Sequence, residues 1–175
     1  MSYTLFCKPG PTLYLLCGKI AAGKSTLAAA LAREANAVIV SEDVWLARLY
    51  GPEMTEVADY VRFAARLREA MTPHLTALLD AGLSLVLDFP ANTPQSRAWM
   101  KTLIDASGAA HELHWLDVPD AVCLARLRRR NQQGGHDFAA TDAQFAQVTR
   151  YFVAPGAEEG FNIVAHREAP DGNGA

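Results

Sequence analysis

Gly18-Lys19-Ile20-Ala21-Ala22-Gly23-Lys24-Ser25-Thr26 satisfies the pattern GxxxxGK[ST] at every required position. Its glycines let the backbone curl until successive N–H groups converge on one anion. A helix opening at Lys24 turns its positive end to the same point. In that arrangement Lys24 reaches the outer phosphates of a nucleotide and the Ser25 hydroxyl ligates Mg²⁺. Gly18, Ala21, Ala22, Gly23 and Thr26 complete the cradle. Chance alone yields such a match in roughly one of two hundred chains of this size. Context makes it specific: the apolar run Thr12 to Cys17 reads as a strand before it, and the Ala/Leu-rich stretch Lys24 to Asn36 as a helix after it.

Outward from this loop, strand-like and helix-like segments alternate. Ala37 to Val40 is a β-branched run. Val44 to Ala81 is helical, broken at Gly51-Pro52 and weakened at Pro73. Leu83 to Leu87 is a third strand ending in Asp88. Gln95 to Ser107 is a helix stopped by Gly108, His111 to Leu116 a strand, and Asp120 to Arg130 a helix. Asn131 to Phe138 is a Gly-rich polar loop, Asp142 to Phe152 helical, and Asn162 to Ala165 a fifth strand. Strands joined by crossover helices predict a parallel sheet covered on both faces, the three-layer α/β class. With 175 residues and no internal repeat or linker, one domain over residues 1–167 is expected, followed by a disordered tail, 168–175.

Two carboxylates and an arginine run carry the remaining chemistry. Asp88 closes an apolar strand, as a Mg²⁺-holding Walker B carboxylate does, or it is a solvated strand end. Asp43 lies just past the second strand, at the sheet edge where open α/β folds bind ligands. There it can take a hydroxyl proton, or it can cap the helix beginning at Val44; Glu42 competes for the first role. Arg126, Arg128, Arg129 and Arg130 fall within five residues, and no acid interrupts Ala121 to His136. Helical spacing sets Arg126 and Arg130 (with Arg129) on one side and Arg128 elsewhere. They form either a phosphate-gripping lid over about 126–140 or a solvated basic face. Trp45, Tyr50, Tyr60 and Phe63, with Arg48, Arg62 and Arg66, lie in the helical segment 44–81 that would cover an acceptor. Trp99 and Trp115 read as core, and His136 as a polar loop residue.

Other classes are disfavoured. Half the residues are hydrophobic and a fifth charged, which excludes a disordered or fibrous chain. A net charge of −3 argues against general polynucleotide binding, which draws on a basic excess. Cys7, Cys17 and Cys123 are odd in number and lack CxxC spacing, so neither a disulfide framework nor a zinc site is expected. His111 and His114 point to opposite faces of a strand and make no metal site. No apolar run reaches membrane-spanning length, and Met1 to Gly10 lacks the pattern of a signal peptide. A cytoplasmic protein is expected.

Gly18–Thr26, Ser41-Glu42-Asp43 with Arg48, Asp88 with Asn92 and Arg97, and Leu116-Asp117-Val118-Pro119 followed by Arg126 and Arg130 occur in that order. Over about residues 12–165 this resembles the P-loop kinases of the polynucleotide-kinase, zeta-toxin and chloramphenicol-phosphotransferase type, among the AAA-like ATP-binding proteins. The resemblance implies a five-stranded parallel sheet of order 2-3-1-4-5, an acceptor-binding helical region after strand 2, and an Arg-bearing lid. It implies Asp43 as general base, and Arg126 and Arg130 as contacts to the transferring phosphoryl group. The chain departs from the pattern in its extra arginines, Arg128 and Arg129, and in lacking a basic surplus. The expected activity is therefore transfer of the γ-phosphoryl group of ATP, with Mg²⁺, to a hydroxyl of a small-molecule acceptor. A polynucleotide 5′-hydroxyl kinase is the alternative, and a nucleotide-dependent switch or ATPase acting on a protein partner is the alternative of another class.

Overall fold

The computed structural model describes residues 10–133 and 140–167. Residues 1–9 with Cys7, the part of the expected lid at 134–139 with His136, and the tail 168–175 lie outside the described residues. The elements run β1 (Thr12–Cys17), α1 (Lys24–Ala35), β2 (Val38–Ser41), α2 (Glu42–Tyr50), α3 (Val57–Asp80) and β3 (Leu85–Pro90). They continue with α4 (Pro94–Ser107), β4 (Ala110–Asp117), α5 (Asp120–Gln133), α6 (Asp142–Thr149) and β5 (Ile163–Arg167). The five strands form one parallel sheet of order β2-β3-β1-β4-β5, as expected.

The sheet sorts its side chains with a period of two. Leu13, Leu15 and Cys17 of β1, with Leu85, Leu87 and Phe89 of β3, are fully buried on one face. They pack there with Phe63, Leu67, Leu75 and Leu79 of α3 and Met100, Leu103 and Ile104 of α4. The alternate residues Leu16 and Val86 meet Ala28, Leu27 and Leu31 of α1 on the other face. Asp88 continues the second series, so the same alternation that buries Val86 aims Asp88 at the start of α1.

Several boundaries differ from the sequence expectation, each for a tertiary reason. β3 does not stop at Leu87. Paired on both sides, it carries Asp88 opposite Ser41 and Pro90 opposite Leu16, past a register shift in which Asp88 and Phe89 are extra residues relative to β1. β2 begins one residue later than expected and α2 starts at Glu42, with Ser41 as its N-cap. Asp43 is thus the second helical residue, and the capping role weighed for it is corrected. Pro73 does not break the long helix, because the exposed side of α3 tolerates its missing N–H; the Thr72 hydroxyl donates to the Arg68 carbonyl at 2.7 Å beside it. The break at Gly51-Pro52 is real: a 3₁₀ turn fills 51–53, and α3 opens with Asp59 Oδ2 accepting from the Glu56 N–H at 3.2 Å. α5 runs on to Gln133, whereas α6 ends at Thr149, short of Phe152.

Trp99 is partly buried and donates its indole N–H to Thr72 Oγ1 at 2.9 Å. Trp115 is likewise partly buried against the core. No described helix is long and apolar enough to cross a membrane. The described residues contain no group of three His, Cys, Asp or Glu side chains able to hold a metal ion.

Candidate functional site

The loop between β1 and α1 is shaped by the residues its pattern demands. Gly23, at φ 107°, is the N-cap of α1, a conformation open to glycine and strained for other residues. A Cβ on Gly18 would lie 3.2 Å from those of both Ala22 and Leu116, so glycine lets the loop press onto β4. Ala21 also adopts a left-handed conformation, at φ 60°, a local strain of about 1–2 kcal/mol held by the loop's packing. Ile20, Ala21, Ala22 and Leu27 pack against Cys123 and Leu127 of α5, which seats the arginine-bearing helix directly on the loop.

Lys24 folds back over the loop. Its ammonium donates to the Gly18 carbonyl at 2.7 Å and the Lys19 carbonyl at 2.9 Å. Burial lowers its pKa, while the carboxylates of Asp88 and Asp43 pull it back up. The Ser25 hydroxyl donates to Asp88 Oδ2 at 2.9 Å, so the two oxygens expected to serve Mg²⁺ lie side by side. That pair, one hydroxyl and one carboxylate open to phosphate oxygens and water, is the hard-oxygen donor set the ion prefers.

Glu42 and Asp43 are neighbours with opposite fates. Glu42 is fully buried: Arg68 Nε donates to Oε2 at 2.8 Å, Arg68 Nη2 to Oε1 at 3.2 Å, and the Tyr60 hydroxyl to Oε1 at 2.8 Å. Arg68 also donates to Ser96 Oγ at 3.3 Å, tying α2, α3 and α4 together. Asp43 keeps solvent-accessible surface, yet protein atoms crowd its carboxyl. That desolvation, with the charges of Glu42 and Asp88, raises its pKa to about 6, against opposing pulls from Lys24 and the Tyr60 hydroxyl. Asp43, Asp88 and Lys24 thus act electrostatically on one another.

The arginine run divides as helical spacing predicts for Arg126, Arg128 and Arg130, and departs from it at Arg129. Arg128 is exposed and pairs with Asp142 of α6, Nη2 to Oδ2 at 2.6 Å. Arg126 and Arg130 are half-buried, and the Nε of Arg130 is buried with no hydrogen-bond partner among the described residues. Arg126 acts electrostatically on Cys123, as do Lys19 and Lys24 of the loop. Arg129 is exposed, apart from the half-buried pair with which its spacing grouped it.

Among the other residues singled out by sequence, Arg48 and Arg66 are exposed and join no described contact, and Arg62 pairs with Asp59. Trp45 is exposed on α2, and Tyr50 stacks on Phe63 at 4.2 Å. Arg97 is fully buried, held by Glu159 and by the carbonyls of Ala91 and Val153. Sequence reasoning missed Arg68 and left Tyr60 among the aromatics. The signal was faint: helical spacing sets both on the α3 face that looks to α2.

A protein family described as an AAA domain matches residues 13–155. Among solved structures, a provisionally assigned kinase from Chloroflexus aurantiacus superposes with a TM-score of 0.72 at 20% identity, covering 91% of this chain and 86% of that one. A sugar kinase from Janibacter sp. gives 0.64 at 17%, covering 91% and 86%. The APS kinase CysC of Mycobacterium tuberculosis, in complex with AMPPNP and APS, gives 0.61 at 18%, covering 94% and 91%. At these identities the likeness is one of fold. No curated protein matches the sequence.

Proposed function

This chain belongs to the AAA domain family, matched over residues 13–155, and from that premise we propose that it is an ATP-dependent kinase acting on a small molecule that bears a hydroxyl group. The observation that carries the reading is the division of labour between two adjacent carboxylates. Glu42 is consumed by Arg68 and Tyr60, while Asp43 faces Lys24 and Asp88 with a pKa of about 6. A carboxylate in that setting is ionised at neutral pH and basic enough to accept a hydroxyl proton.

In the proposed reaction the loop amides of Ala21, Ala22, Gly23, Lys24, Ser25 and Thr26 hold the phosphates of ATP, and Gly18 shapes the first turn of the cradle. Lys24 exchanges its contacts with the loop carbonyls for the outer phosphates. The acceptor oxygen attacks the γ-phosphorus and its proton passes to Asp43. The bond from the γ-phosphorus to the β–γ bridging oxygen breaks, leaving ADP. Arg126 and Arg130 neutralise charge on the phosphoryl oxygens, where the planar arginine fork fits best. Ser25 and Asp88 would hold Mg²⁺, which when bound neutralises charge on the β- and γ-phosphates. The net charge of −3 favours a small acceptor over a polynucleotide.

The test is an acceptor screen with the purified protein and MgATP, following ADP release. Stimulation by a small alcohol, with phosphate recovered on that alcohol, is the expected result. Stimulation by 5′-hydroxyl oligonucleotides alone would move the assignment to nucleic-acid repair chemistry. Stimulation only by a protein, with phosphate released to water, would make the chain an ATPase switch.

A further inference from the structure

Where β1 ends at Cys17, the first amide of the loop leaves the sheet, and a side chain 74 positions away receives it: Gly18 N–H donates to Asn92 Oδ1 at 2.8 Å. We infer that Asn92 is a positioning residue for nucleotide binding, setting the first peptide of the phosphate loop and, through it, the carbonyls that hold Lys24. The inference rests on the nucleotide reading of that loop.

Three observations give Asn92 this leverage. Its own backbone is fastened from two directions: Ala91 N–H donates to the Leu16 carbonyl and Val153 N–H to the Asn92 carbonyl, each at 2.9 Å. The buried Arg97 then clamps both attachments, Nη1 donating to the Ala91 carbonyl at 3.0 Å and to the Val153 carbonyl at 2.8 Å. Gly18, for its part, is buried and wedged between Ala22 and Leu116, so its N–H lacks easy access to water as a substitute acceptor. A buried amide without an acceptor is costly, and the peptide must turn to find one. The Gly18 and Lys19 carbonyls, which accept from Lys24 Nζ at 2.7 and 2.9 Å, belong to the next two peptides of the loop, whose orientation follows the Cys17–Gly18 peptide that would turn. Asn92 touches no phosphate in this scheme; it acts through Gly18.

The test compares Asn92→Leu, similar in size and without an acceptor, with Asn92→Asp, which retains one. Hydrogen exchange of the Gly18 amide is measured in nucleotide-free protein, alongside MgADP affinity by calorimetry and the urea unfolding midpoint. In Asn92→Leu, Gly18 exchange should quicken and MgADP binding weaken, each by about tenfold, the scale of one lost hydrogen bond. In Asn92→Asp the Gly18 amide should stay protected. A merely structural role would lower the midpoint of Asn92→Leu and leave the affinity of the folded protein untouched, and that result overturns the inference. So does an Asn92→Asp protein whose Gly18 amide exchanges freely, which decides the matter even if Asn92→Leu fails to fold. Wild-type protein that binds no nucleotide would remove the nucleotide reading, while Gly18 exchange would still report whether Asn92 holds the loop.

Discussion

The Lys24 ammonium sits between two loop carbonyls, with Asp88 and Asp43 as its main charged influences. Lys24→Ala should leave the fold intact and weaken MgATP binding roughly thirty-fold to a thousand-fold, about 2–4 kcal/mol, as loss of a charged contact to phosphate does. Unchanged affinity by calorimetry would remove Lys24 from the site. Asp43→Asn should keep ATP binding and lose about 10²–10⁴-fold in single-turnover transfer. In the wild type that rate should rise with pH and level off above about 6, where Asp43 has given up its proton. Stability runs the other way. Folded Asp43 holds its proton to higher pH than the ordinary value of 3.8, so between the two values the folded state binds more protons and loses stability as pH rises. Asp43→Asn should therefore melt higher than wild type at pH 7 and lose that advantage near pH 4. A flat difference across that range would show that the carboxyl is not perturbed.

Within α5, equal charges face unequal surroundings. Arg128 spends its guanidinium on Asp142 in the open, where solvent screens the pair. Arg126 and Arg130 are half-buried on a helix packed against the loop. Arg126→Ala or Arg130→Ala should slow phosphoryl transfer by about 10³-fold or more, and lysine should rescue either poorly, since a point charge does not reproduce the fork. Arg128→Ala should stay within a few-fold of wild type. Single-turnover assays of the three alanine variants side by side decide this; equal, small effects would return the run to a solvated basic face. The helical period alone separated Arg128 from Arg126 and Arg130. It could not find Asp142, which arrives from another helix, nor set Arg129 apart from Arg126, because spacing fixes angle on a helix and not what packs beside it.

Across the whole molecule, the connection between β3 and α4 joins segments far apart in the chain. Thr93 caps α4 by accepting from Ser96 N–H at 3.1 Å, and Ser96 in turn accepts from Arg68, the partner of Glu42. Arg97 reaches the other way, to Glu159, at 2.6 and 2.8 Å. Arg97 is fully buried, so removing Glu159 strands a positive charge in the interior. Glu159→Ala should cost about 3–5 kcal/mol in urea unfolding. A loss below about 1 kcal/mol would mean that the Ala91 and Val153 carbonyls suffice for the guanidinium.

By itself the sequence determined the parallel α/β class and the phosphate loop, because both are written locally. Alternation sorts Leu13, Leu15 and Cys17 from Leu16, and Gly18, Gly23 and Lys24 answer to backbone geometry within nine residues. It also named Asp43, Asp88, Arg126 and Arg130 as candidates. Only the tertiary structure decided where β3 ends, since the extra ladder bonds come from β1 and β2. Only it separated Glu42 from Asp43, because that choice is made by Arg68 and Tyr60 on another helix. Arg97 was legible among the residues that carry the family resemblance, but its burial against Glu159 was not. A side chain's charge belongs to its own residue, whereas its desolvation and its partners belong to segments brought beside it by folding.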